Sequence, residues 1–220
     1  MQALHRVREE CVGQRTAKAN QIRGLVGEYG LIAPLGISKL RQALPQWLED
    51  SDNGLTDIFR RLLSTLAQDL RYLDDRVEQL SDQIQQQVAL DPQAQRLMQL
   101  RGVGPMVASA LMVAIGNGKS FTKGRDFAAS LGLTPRQHST GGKERLLGIS
   151  KRGNPYLRKL LVHGTRAVIQ HAKRRDWIND LAARKHTNVA TVALANKTAR
   201  VVWALIHHDA HYDPAVIAQG

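Results

Sequence analysis

The sequence predicts a mostly α protein, in which a coiled-coil-like helical segment over residues 1–92 precedes a small helical domain over 93–220. That second domain is expected to hold a glycine turn of the helix-hairpin-helix type and a basic, glycine-rich loop. Three observations carry the prediction. Apolar residues from Phe59 to Ile84 recur at alternating steps of four and three, which keeps one seam turned towards a partner helix. No alternating apolar run stands out except Arg145–Ile149, so strands have little to build on. The 220 residues are 43% hydrophobic, enough for a packed core in one or two domains.

The elements follow in chain order. From Met1 to about Gly30 good helix formers separate Leu4, Val7, Cys11, Ile22 and Leu25, predicting a helix. Gly30 and the stretch from Pro34 to Gly36 break it. A short helix is expected over Ser38–Leu48, with Ser38 as its N-cap. The seam residues Phe59, Leu63, Leu66, Leu70, Leu73, Val77, Leu80 and Ile84 come next, flanked by polar positions such as Arg61, Asp69, Asp75 and Glu78. The periodicity leaves open whether the seam meets the first helix or a second copy, and a homodimer or higher oligomer through residues 59–84 is the expectation. Asp91 and Pro92 end this helix, because the residue before a proline is pushed out of helical geometry.

Beyond the break, Arg101-Gly102-Val103-Gly104-Pro105 leads into the apolar run Met106–Ile115. Glycines permit a tight turn and proline suits the first turn of a helix, so two helices joined by a turn are expected. In a helix-hairpin-helix such a turn binds phosphate through its N–H groups; a plain buried turn needs the same glycines. A helix over Phe121–Leu133 is expected to open at Thr122 and close at Gly132, with a basic loop beginning at Pro135. A helix over Pro155–His171 turns Leu157, Leu160, Leu161, Val168 and Ile169 inward and Arg158, Lys159 and Arg166 outward; a last one spans Asn188–His208.

Charge is distributed unevenly. Residues 1–94 hold 11 Lys or Arg against 13 acids, whereas 95–220 hold 20 against 6, so the net +12 divides into −2 and +14. A region so basic points to a polyanionic partner. The segment Arg136–Arg158 concentrates the signal: Ser139 and Thr140 stand before Gly141 and Gly142, among the cations Arg136, Lys143, Arg145, Lys151, Arg152 and Arg158, with Glu144 as the one acid. Glycine allows close backbone approach while Lys and Arg neutralise phosphate. The lone Cys11 excludes an internal disulfide and a cysteine-based zinc site, and fits a reducing cytoplasm. Residues 1–20 are charged throughout and the run Met106–Ile115 is short of a membrane span, so no membrane contact and a cytoplasmic, nucleoid-associated location are expected.

Two lookalikes fail on inspection. Gly118-Lys119-Ser120 imitates the end of a phosphate-binding loop, but Val113 stands where its leading glycine belongs. The histidines at 163, 171, 186, 207, 208 and 211 match no zinc spacing and lack cysteine partners; no metal site is expected. Ser139 is the better candidate for chemistry. A serine hydroxyl needs a base or strong electrostatic help to attack phosphorus, and Arg136, Lys143 and Arg145 could stabilise charge developing on phosphate. No general base is evident, and the plainer reading, in which Ser139 and Thr140 only hydrogen-bond a phosphate or cap a turn, stays open.

The runs LRGVGPMVASALMVAIGN and FAASLGLTPRQHSTGGKERLLGISKRGNPYLRKLLVHGTRAV resemble the C-terminal domain of the bacterial insertion-sequence transposases of the IS116/IS110/IS902 family, and QALHRVREECVGQRTAKANQIRGLVGEYG resembles the segment before it. The resemblance implies a serine nucleophile for DNA strand exchange at HSTGG, hence Ser139, with Thr140 one place away as the alternative. It implies DNA contacts from the turn at Arg101, Gly102 and Gly104 and from the stretch with Lys151, Arg152, Asn154 and Arg158, and a guide RNA as a further partner. In the family a RuvC-like domain with four metal-binding acids precedes this part. Met1 falls after that point, so no cofactor is expected in this chain, Mg²⁺ only with the preceding domain, and no recombination by this chain alone. A non-catalytic DNA-binding module, able to pair with full-length relatives, is the alternative.

Overall fold

The structure is a computed structural model, and it describes residues 1–33, 35–138, 140, 142, 145–171 and 177–213. It is mostly α. The chain divides into two compact units, Gln2–Gln83 and Ile84–Gly220, with Met1 counted in the latter.

In the first unit, helix α1 (Gln2–Gly27) and helix α3 (Asp57–Ala89) bracket a shorter α2 (Ile37–Glu49). The periodic stripe of α3 explains the packing. Phe59, Leu63, Leu66 and Leu70 are buried with Ala19, Ile22 and Val26 of α1 and Leu40 and Leu44 of α2, while Val77 and Leu80 pack with Cys11. Polar contacts set the register: Lys18 pairs with Asp69 at 3.0 Å, Arg15 with Asp74 at 3.3 Å, and the Arg8 guanidinium donates to Ser81 Oγ at 2.7 Å. The seam therefore meets α1 of the same chain. Of the two partners left open for the seam, the first helix is the one it packs against within this chain.

Two capping expectations change as well. Ser38 is not the N-cap of α2; that position is Gly36, at φ 95°, with no side-chain cap bond. Only glycine enters that region without strain. The C-terminal end of α2 is closed from another element, since Arg60 donates to the carbonyls of Trp47 and Leu48 at 3.1 and 3.0 Å, as a cation near the last carbonyls should.

In the second unit, α4 (Pro92–Met98) is capped by Asp91, whose carboxylate accepts from the N–H groups of Gln93 and Ala94. The turn Gln99–Gly104 leads into α5 (Pro105–Ile115), most of whose side chains are buried. The helix expected over Phe121–Leu133 is shorter, α6 (Gly124–Ser130), and Lys123 rather than Thr122 occupies its N-cap. Strands β1 (Pro135–Gln137) and β2 (Leu146–Ile149) pair antiparallel, with Pro135 opposite Ile149 and Gln137 opposite Leu146. β2 is the strand that Arg145–Ile149 signalled. Then come α7 (Pro155–Gln170), α8 (Trp177–Arg184) and α9 (Thr187–His207); α8 had no counterpart in the sequence reading. Helix α9 packs on α6, α7 and α8, and α5 packs on α4 and α7. The core includes Leu97, Leu111, Phe127, Leu133, Leu157, Leu161 and Val202.

Helix α9 also revises the membrane reading. At 21 residues, with a mean hydropathy of 1.3 over its most apolar window, it has the length and composition of a span, which Met106–Ile115 lacks. Its face through Ala195, Thr198, Ala199 and Val202 is buried within the helical unit.

Candidate nucleic-acid interface

The basic loop of the sequence is a two-stranded ribbon standing on a rigid base. All of β1 is exposed, Arg136 included, and Arg145 and Thr140 are exposed too. The ribbon is held together past its strands by the His138 N–H, which donates to the Arg145 carbonyl at 2.9 Å. At the tip Gly142 has φ 75° and open space where a Cβ would stand. Ser139 and Lys143, the expected nucleophile and one of its cations, lie outside the described residues.

The base is a clasp between two turns, and its glycines explain themselves. After Leu131 the chain turns at Gly132, φ 68°; after Lys151, itself at φ 57°, it turns again at Gly153, φ 85°. A Cβ on Gly132 would collide with the Arg152 carbonyl, and one on Gly153 with the Ser130 carbonyl. The backbones can approach only because both side chains are absent. Hydrogen bonds close the clasp: Ser150 N–H to the Thr134 carbonyl at 2.8 Å, Lys151 N–H to that of Gly132 at 3.2 Å, and Asn154 N–H to that of Ser130 at 3.2 Å.

Two residues expected to face DNA have structural partners here. Asn154 is the N-cap of α7, its side-chain oxygen accepting from the Leu157 N–H at 3.0 Å. Arg158 donates to the carbonyls of Leu131 and Arg152 at 2.9 and 3.3 Å, so its guanidinium fastens the clasp to α7. Lys151 and Arg152 are exposed on it. Among the described residues no acid pairs with Arg136, Arg145, Lys151 or Arg152.

The glycine turn ahead of α5 is anchored by packing. Gly102 has φ 80°, and a Cβ there would lie 2.8 Å from the Gly164 carbonyl oxygen in the middle of α7. A Cβ on Gly164 would in turn collide with the Gly102 carbonyl. This pair of glycines accounts for Gly102 without any ligand. Gly104 differs: it is the N-cap of α5 with nothing near a would-be Cβ, and Arg101 beside it is exposed.

The sequence reading left a second basic feature unassigned. Lys151, Arg158, Lys159, His163, Arg166 and Asn188 line a groove of about 380 Å³ between α7 and the start of α9. Periodicity places Lys159 and Arg166 on the outer face of α7; in the sequence His163 stands out only as a histidine without zinc spacing, and Asn188 only as the start of the last helix. Two other cations of the unit are engaged elsewhere. Arg96 pairs with Asp209 at 2.8 Å, and Lys197 sits 4.7 Å over the Trp177 ring, where burial, then nearby Arg200, lowers its pKa. Among the described residues no group of three or more His, Cys, Asp or Glu could hold a metal ion.

Residues 94–180, which hold the turn, the ribbon and α7, match the model of the transposase IS116/IS110/IS902 family. The chain is 44% identical to a probable family 20 transposase of Pseudomonas aeruginosa, covering 97% of this chain and 65% of that one. It is 39% identical to the transposase for insertion sequence element IS1111A of Coxiella burnetii, covering 96% of this chain and 60% of the relative. Over nearly its whole length the chain is thus similar to transposases, and over residues 94–180 to the model of this family. It is also 28% identical to a pilin gene-inverting protein of Moraxella bovis, over 67% of this chain and 48% of that one. The chain thus spans less than two thirds of the length of these relatives.

Proposed function

We propose that this chain is the DNA-handling and strand-exchange part of an insertion-sequence transposase, with the ribbon around Ser139 as the reacting loop. The observation that carries the reading is the ribbon: exposed Arg136, Arg145, Lys151 and Arg152 with no paired acid among the described residues, on a base made rigid by two glycine turns and Arg158. Such a base holds cations where charge would develop on phosphate without further reorganisation. In the proposed step the Ser139 oxygen attacks a phosphodiester phosphorus, its proton passing to a base, and one deoxyribose hydroxyl leaves. A serine–phosphate ester results, and the hydroxyl of another strand attacks it to restore the serine and join new DNA. The family resemblance supplies the role of Ser139, and Lys143 is assigned to the same loop.

The test uses the full chain with a full-length relative and DNA carrying insertion-element ends. Wild type should give a covalent protein–DNA adduct that survives denaturation, and Ser139→Ala should abolish it while leaving DNA affinity within about twofold. An adduct that persists in Ser139→Ala moves the nucleophile elsewhere, with Thr140→Val as the next variant. No adduct from either chain, with binding intact, leaves the non-catalytic DNA-binding module as the reading.

A further inference from the structure

We propose that the groove between α7 and the start of α9, which adjoins the base of the ribbon and shares Lys151 with it, is a track for a single-stranded phosphodiester backbone. The proposal rests on the nucleic-acid reading above and adds a site to it. Its lining includes Lys151, Arg158, Lys159, His163 and Arg166, and no acid. On α7 the residues at 155, 159, 162 and 166 recur at steps that share one helix face. Of these, Lys159 and Arg166 are the cations, about 10 Å apart along the helix axis. Lys151 before α7, Arg158 and Lys159 near its start and Arg166 two turns further on spread positive charge along the groove, where successive phosphates of one strand could meet it.

The shape selects the strand. A protein that reads duplex inserts a convex element into a major groove about 12 Å wide. Here the protein surface is concave, and its volume of about 380 Å³ is at the small-ligand end of the range. A single strand can lie in such a groove with its phosphates on Lys159 and Arg166 and its sugars and base faces on Val162 and Val192. Arg166 is held in place by its bond to Asn188 Oδ1 at 3.0 Å, which leaves other guanidinium donors already oriented. Lys159 lies 5.5 Å from the Tyr156 ring centroid, at the same wall.

The experiment measures binding of a single-stranded DNA oligonucleotide, the matching blunt duplex and the matching RNA across salt concentrations, with the full chain as wild type and as Lys159→Gln/Arg166→Gln. Single-strand binding weakens with salt by a slope of about 0.7 per neutralised phosphate. The double variant should lower that slope by about 1.4 and weaken single-strand binding roughly twentyfold at 0.1 M salt, with duplex binding within about threefold of wild type. The charge-keeping variant Lys159→Arg/Arg166→Lys should retain the wild-type slope. If the double variant fails to fold, exposed Lys159→Gln alone should lower the slope by about 0.7. DNA and RNA losing affinity together assigns the track to the shared backbone, and loss confined to one identifies its strand. An unchanged single-strand slope in a folded variant overturns the proposal, as does an equal loss for duplex or wild type that binds no oligonucleotide. Because Ser139→Ala leaves the groove intact, failure of the adduct test and failure here are separate results.

Discussion

At the scale of single residues, the glycines of the second unit serve distinct purposes. Gly132, Gly153, Gly102 and Gly164 let two pieces of backbone meet, whereas Gly142 needs only its positive φ at an open tip. A side chain at Gly142 incurs conformational strain alone, on the order of 1–2 kcal/mol. A side chain at Gly153 incurs that strain and also forces the Ser130 carbonyl aside. Gly153→Ala should therefore destabilise the chain by at least about 2 kcal/mol more than Gly142→Ala in denaturant unfolding. Equal losses would mean that the clasp yields freely. All five glycines look alike in sequence; the packed ones are told apart only by what lies across from them. The same holds for Arg158, which charge alone marks as a phosphate contact and which the fold also uses to bind two carbonyls.

At the scale of elements, the stripe on α3 was legible because period 3.5 needs only the order of apolar residues. Its partner was not, because α1 and a second copy of α3 present the same chemistry to it. Tertiary packing resolves the choice: Leu63 and Leu70 are fully buried inside the chain, together with Ile22 and Val26. Leu70→Ala should thus lower the stability of the 2–83 unit by about 2–5 kcal/mol, and by the same amount at every protein concentration. A loss that grows on dilution would instead place Leu70 between copies. The ends of α2 and α6 were misplaced for a related reason. Ser38 and Thr122 are good capping residues by type, but Gly36 and Lys123 occupy the caps, and caps are decided by where neighbouring turns leave the chain.

At the scale of the whole molecule, the division into two units gives stability two addresses. His5, buried in the first unit, has its pKa lowered chiefly by burial and next by the nearby Arg8 guanidinium. The unfolded chain binds its proton near pH 6.5 while the folded chain resists it, so the unfolded state holds more protons below that pH. Stability of the 2–83 unit should therefore fall as pH drops below about 6.5, and level off once the folded imidazole also protonates. Trp47 reports on this unit, and Trp177 and Trp203 on the other. His5→Gln should flatten the Trp47 transition between pH 7 and 5; an unchanged slope would assign the effect to another group. The uneven charge belongs to this scale too, since the +14 region contains both the ribbon and the groove.

Order and composition alone determined the mostly α class, the α3 stripe, the location of the positive charge and the family resemblance, because each depends on periodicity, composition or local motif along one dimension. What covers the stripe, which glycines are pressed backbone to backbone, which cations grip the protein's own carbonyls and which line a groove were decided by tertiary structure. Those properties depend on residues far apart in the chain arriving side by side, as Gly102 meets Gly164 and Gly132 meets Arg152, and no local spacing encodes such a meeting.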